Sequence, residues 1–148
     1  MWFNLKIGAP ISHLGANRKL HQRAVRRSDF VREVLPRNSI GIELGVMKGH
    51  FSKVLFELLD PQELHLVDMW HLGAPDWPWA AGDNSTVNAL VKVLQHFKPQ
   101  IEAGTVSVHV GDDRQILQGF PDHHFDWAYI DSSHSYEHTV EELLILKH

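Results

Sequence analysis

Cysteine is absent from the 148 residues, which excludes disulfides, thiolate metal sites and a cysteine nucleophile together. No stretch approaches the roughly 18 apolar residues that a membrane span requires. The apolar start, Met1-Trp-Phe-Asn-Leu-Lys6, is too short for a signal peptide. Positive charge is in short supply as well: 14 Lys and Arg against 18 Asp and Glu leave a net charge of −4. No global field would then hold a phosphate backbone, so nucleic acid is not an expected partner. A protein without membrane contact, in a reducing cytoplasm, is the expectation.

What is present is core-forming material. Hydrophobic residues make up 43% of the chain and charged residues 22%, a composition that supports one packed domain rather than a disordered chain. The 12 histidines are scattered, which reads for most of them as a pH-sensitive surface. Arg18 to Leu35 reads as an amphipathic leader helix with a solvated basic face, stopped by Pro36. This region, residues 1–38, is set apart from a main domain over 39–148.

From Ser39 onward strands and helices alternate four times. Ser39 to Val46 reads as a buried strand. His50 to Asp60 follows as a helix, with Phe51, Val54, Leu55, Leu58 and Leu59 on one face. Leu64 to Asp68 is a second strand. Thr86 to Phe97 is a second helix, with Ser85 as N-cap and Val87, Leu90, Val91 and Leu94 on its apolar side. Thr105 to Val110 alternates like a peripheral strand, and Asp113 to Gln118 forms a short helix. Phe125 to Ile130 is nearly continuous apolar and so central, and Ser135 to Lys147 is a last helix with Tyr136, Val140, Leu143 and Leu144 as its pattern. The alternation predicts an α/β fold, an open and mostly parallel sheet that binds ligands beyond the carboxyl ends of its strands.

Four loops at that edge carry candidate chemistry. In Glu43-Leu-Gly45-Val-Met-Lys-Gly49-His-Phe-Ser52 two glycines allow a tight turn near a ligand, while the following helix offers free N–H groups. A plain tight turn would use the same glycines. Glu43 inside an apolar strand needs loop N–H groups, a cation or a ligand's ammonium group as partner. Asp68, 19 residues after Gly49, is placed to accept hydrogen bonds from ribose hydroxyls. Gly111-Asp112-Asp113 offers either a helix N-cap or acceptors for an adenine amino group. Asp131-Ser-Ser-His134-Ser-Tyr136 puts a carboxylate and an imidazole where a metal or general base would stand. His134 would alternatively be a helix-start histidine held by Asp131. His134 and His138 lie four apart, but H-S-Y-E-H is not the H-E-x-x-H of a zinc protease.

Taken together, Ile42-Glu-Leu-Gly-Val-x-x-Gly-x-Phe-Ser52, Leu66-Val-Asp68-x-Trp70, Val110-Gly-Asp112 and Phe125-Asp-Trp-Ala-Tyr-Ile-Asp131-x-x-His-Ser-Tyr136 resemble the class I S-adenosylmethionine-dependent methyltransferases. The likeness points to the branch with macrocin-type sugar O-methyltransferases and cephalosporin hydroxylase-like proteins, and it runs from Ser39 to the end. The resemblance implies a Rossmann-like domain with helices on both faces of the sheet. Glu43, Gly45, Gly49 and Ser52 would hold the methionine moiety, Asp68 the ribose, and Asp112 with Asp113 the adenine. Asp131 would bind a divalent metal such as Mg2+ or orient a base, and His134 would be that base. The family sheet has seven strands, of which only four are legible here, so the resemblance also implies truncation.

The leading expectation is O-methyl transfer to a small hydroxylated molecule such as a sugar or natural product. Its rival is a non-catalytic S-adenosylmethionine-binding or assembly module. A nicotinamide oxidoreductase is disfavoured because G-x-G-x-x-G is absent. Two further expectations concern surfaces. The apolar fourth strand, left without a neighbour, would pair with another chain as a homo-oligomer. The loop His71 to Asn84, with Trp77 and Trp79, is long enough for a lid.

Overall fold

The structure is a computed structural model describing residues 22, 25–70 and 85–147. Its elements run α1 (25–34), β1 (Ile40–Leu44), α2 (His50–Leu59), β2 (Glu63–Asp68), α3 (Ser85–His96), α4 (Lys98–Glu102), β3 (Val106–Val110), α5 (Asp113–Leu117), β4 (Trp127–Ile130) and α6 (Tyr136–Leu146). The expected lid at 71–84 lies outside the described residues.

All three strand pairs are parallel, in the order β3-β2-β1-β4. Short helical crossovers lay β2 and then β3 to one side of β1, and the chain then returns to place β4 on the other side. The reversal leaves a crevice between the carboxyl ends of β1 and β4, the place where such sheets bind ligands. There the backbone N–H of Asp131 donates to the Leu44 carbonyl at 2.8 Å. Gly45, at φ 89°, has no room for a side chain, because a Cβ would stand 2.2 Å from the Asp131 carbonyl oxygen.

Each face of the sheet has its own core. On one, Leu64, Leu66, Val106 and Trp127 pack with Leu55 and Leu59 of α2, Ala89 and Val93 of α3, and Val31 of α1. On the other, Ile42, Leu44 and Val67 meet Leu117 of α5 and the partly buried Ile145 and Leu146 of α6. Helices cover both faces, as the alternation predicts, and α1 belongs to the first core rather than standing apart.

Two helices bury a different stripe from the one their periodicity suggests. In α3 the buried residues are Thr86, Ala89 and Val93, while Val87, Val91 and Leu94 are exposed. In α6 Glu142 is buried whereas Tyr136, Leu143 and Leu144 are exposed. Periodicity gives a helix an apolar side, and the sheet selects which neighbouring stripe it meets. The second helix also breaks at Phe97, and a short α4 carrying Pro99 in its first turn follows. β1 is shorter than its apolar run because Gly45 turns away, and β4 begins at Trp127 rather than Phe125.

The indole of Trp127 lies against the bare backbone of Gly41 and donates from Nε1 to Ser39 Oγ at 3.1 Å. A Cβ at Gly41 would stand 2.0 Å from the ring. Gly41→Ala should therefore displace Trp127 and destabilise the fold by about 1–3 kcal/mol, as overpacking does. A lowered urea midpoint with an unchanged slope is the expected reading, and an unchanged midpoint would contradict this packing.

Candidate functional site

A cavity of about 560 Å³ opens at the carboxyl edge of the sheet. Of the residues expected to act, Gly45, Asp68, Asp112, Asp113, Asp131 and His134 line it. Glu43, Gly49 and Ser52 do not. They stand behind the β1–α2 loop, where Gly49 ends the turn at φ 71° and Ser52 is fully buried.

Asp68 ends β2 and shapes the loop. Its Oδ2 accepts from the N–H groups of Val46 at 2.9 Å and Met47 at 2.7 Å, and its Oδ1 accepts from the Trp70 N–H at 2.9 Å. Trp70, 1% exposed, donates its indole N–H back to the Met47 carbonyl at 2.8 Å. Both lone pairs of Oδ2 are thus occupied, and Oδ1 keeps one acceptor direction for a ligand hydroxyl.

Glu43 lies beneath this loop, 1% exposed, and its Oε2 has no hydrogen-bond partner. Burial pushes its carboxyl up to about 8, with the nearby Ser52 hydroxyl opposing the shift and the Asp131 charge adding to it. Near neutrality it is protonated, and a cationic group arriving nearby would favour its ionised form.

The β3–α5 loop is held by its own acids. Asp112 caps α5 by accepting from Arg114 N at 3.0 Å, and it takes the guanidinium at 2.6 Å. Arg114 accordingly holds the Asp112 carboxyl below the usual range. Arg114 also reaches Glu141 of α6 at 2.6 Å. Asp113 is buried, and both of its carboxylate oxygens meet His138 Nε2, at 2.7 and 3.0 Å. The pair expected to receive an adenine amino group is therefore already engaged, and what it offers a ligand is its unused acceptor directions.

His138 and Glu142, one turn apart on α6, complete a network the sequence reading did not assemble. Glu142 is fully buried, lies 3.5 Å from His138 Nε2 and accepts from the Ser132 hydroxyl. Burial, with Asp113 adding to it, pushes Glu142 up to about 7. The usable signal was the H-x-x-x-E spacing on the last helix, which puts both side chains on one face.

At the β4–α6 loop, Asp131 Oδ1 lies 3.7 Å from His134 Nε2, beyond a direct hydrogen bond. His134 is at φ 59° with its side chain 74% exposed. Asp131 Oδ2 is taken by Arg27 of α1 at 2.9 Å. The same guanidinium donates to the Tyr129 hydroxyl and sits 4.2 Å above the Phe51 ring. The basic helix read as a solvated surface thus contributes a residue to this site. An arginine already on Asp131 also weakens the expected Mg2+ role, and among the described residues Asp131 joins no group of three ligating side chains. Asp113, His138 and Glu142 do form such a group, but the 2.7 Å hydrogen bond within it leaves no space for an ion.

A parallel sheet that reverses at β1, with a glycine loop and an acid on adjoining strand ends, defines a Rossmann-like nucleotide-binding fold. The chain matches the methyltransferase domain family over residues 42–148 and belongs to it. No curated protein matches it. Among solved structures it is similar to an rRNA methylase of Streptococcus thermophilus, at 16% identity and a TM-score of 0.55, covering 82% of this chain and 60% of that one. A candidate methyltransferase of Streptococcus mutans in complex with SAH gives 18%, 0.54, 83% and 63% in the same order. Precorrin 8W decarboxylase of Methanobacterium thermoautotrophicum gives 18%, 0.53, 84% and 55%. At these identities the likeness is one of fold, and the chain spans between 55% and 63% of the length of these three structures.

Because folded Glu43 holds its proton up to about pH 8, the folded chain binds more protons than the unfolded one between the ordinary carboxylate range and that pH. Stability then falls as pH rises through this window, by at most roughly 1.4 kcal/mol per pH unit for one such group. Glu43→Gln should remove this contribution, so that the variant gains on the parent as pH rises from 5 to 8. Parallel pH–stability curves from denaturant melts would contradict the assignment.

Proposed function

We propose that the chain is the cofactor-binding part of an S-adenosylmethionine-dependent O-methyltransferase acting on a small hydroxylated molecule, such as a sugar or natural product. The observation that carries the reading is convergence: the β1 glycine loop, Asp68 and the Asp131–His134 loop meet at one cavity at the switch point of the sheet. The residues fit the cofactor. The N-terminus of the ten-residue α2 has no side-chain cap, and Asp68 Oδ1 keeps an acceptor for a ribose hydroxyl at the cavity wall. Bound there, S-adenosylmethionine would supply an electrophilic methyl group on a sulfonium.

This chain's own residues would then position the acceptor and move one proton. His134 lines the cavity and is open to solvent, so it can take the proton of an acceptor hydroxyl, while Asp131 favours the imidazolium that results. His138 is the second candidate base, favoured by its 2.7 Å contact with Asp113. A net charge of −4 favours a small acceptor over RNA. The macrocin-type branch, and a longer family sheet of which these four strands form the first part, belong to the same proposal. The longer sheet is supported by β4 standing at the sheet edge among the described residues and by the exposed Leu143 and Leu144 of α6, while the branch rests on the resemblance of the 125–136 segment alone. Self-association through that edge is the corresponding expectation for the 148-residue chain, and light scattering would measure it.

Calorimetric titration should show S-adenosylmethionine or its demethylated product binding more tightly than NAD, with Asp68→Ala weakening binding at least tenfold. Equal affinity for NAD would remove the reading. In any form of the protein that turns over, His134→Ala should lower the rate by about 10²–10⁴ while leaving cofactor affinity intact. If His138→Ala does so instead, the base is His138.

A further inference from the structure

Away from the cofactor cavity, β2, β3 and the loop before β4 bring a second group of ligating side chains together. His65 is buried at 6% exposure on β2, two residues from Glu63 and three from Asp68. Its Nδ1 lies 3.0 Å from His109 Nε2 on β3, and its Nε2 lies 3.4 Å from Glu63 Oε2. His124, in the loop between α5 and β4, brings a ring nitrogen to within 4.8 Å of both the Glu63 and His65 ligand atoms. His124 Nε2 is buried and has no hydrogen-bond partner. None of these residues lines the cofactor cavity.

Two features separate this arrangement from ordinary polar packing. A separation of 3.4 Å is long for an N–H···O hydrogen bond, which centres on about 2.9–3.0 Å. It does match the edge of a tetrahedral site, since Zn–N and Zn–O bonds of about 2.0–2.2 Å place adjacent ligands roughly 3.4 Å apart. The His65–His109 contact is the second feature. If His65 Nδ1–H donates to His109 Nε2, the tautomer is fixed with Nε2 bare and turned to Glu63, the outer-shell bond that metal-binding histidines commonly make. Phe120 and Phe125 pack edge-on around the His65 ring, with centroids 5.0 and 5.4 Å away, which fixes its orientation.

We propose that Glu63, His65 and His124 form a binding site for a divalent transition metal, with Zn2+ the best match to two imidazoles and one carboxylate. The fourth position goes to water. His109 is a positioning residue that holds His65 for the metal. An ion there ties β2 to the loop that leads into β4, supplying in a chain without cysteine a covalent-like tether between segments distant in sequence. The site is independent of the methyltransferase reading, because it shares no residue with the cofactor cavity.

The test uses the whole chain, stripped with a chelator and titrated with Zn2+ alone, with Co2+ as a spectroscopic probe. The expected result is uptake of one Zn2+ per chain, a raised thermal midpoint, and a Co2+ spectrum of the intense tetrahedral type. Glu63→Gln, at an exposed position and so safe for folding, and His124→Gln should each weaken Zn2+ binding at least tenfold without changing the metal-free melt. His109→Gln should weaken it by about tenfold while keeping the one-to-one ratio. Absence of saturable uptake would overturn the proposal. Binding of several equivalents that neither Glu63→Gln nor His124→Gln reduces would overturn it too, since the other histidines would then be the ligands.

Discussion

The cavity depends on the capture of three backbone N–H groups by the Asp68 carboxylate. Two of them come from the loop after β1 and the third comes from Trp70. A loop turning at Gly45 and Gly49 has many conformations to lose, and one side-chain oxygen accepting from two consecutive N–H groups selects one of them. Trp70 closes the arrangement by filling the core beneath and bonding back to Met47. The residue expected to read a ribose thus also builds the floor of the cavity.

Around that floor the protein sets carboxyl groups in contrasting environments. Glu43 and Glu142 are buried and pushed toward the neutral form, whereas Asp112 beside Arg114 is held firmly ionised. Separating titratable groups in this way is a feature of sites that handle charged ligands or move protons. It also costs stability, because Glu43 and Glu142 each leave one buried oxygen without a partner. Arg27 balances part of the acid at this edge. By holding Asp131 and Tyr129 together over Phe51, it ties α1 to the end of β4 and makes the leader helix part of the site.

Element types and their order were legible in the amino-acid sequence, because buried parallel strands read as apolar runs and their helices as 3.6-residue patterns. The glycine loop, Asp68 and the Asp131–His134 loop were legible for the same reason: residues at strand ends inherit their position from the strand. Which stripe of α3 and α6 is buried was not legible, since Val87, Val91, Leu94, Leu143 and Leu144 are as apolar as the residues that displaced them from the core. The break between α3 and α4 was signalled only by Pro99.

By itself, then, the sequence determined an α/β order, a parallel sheet and the loops where chemistry gathers, because each of these follows from local pattern and chain direction. Only the tertiary structure decided who pairs with whom across long separations. Arg27 meets Asp131 across 104 residues, His138 meets Asp113 across 25, and His65 meets His109 across 44. Such contacts are set by strand register and helix rotation, which depend on the packing of the whole core and leave no periodic trace along the chain.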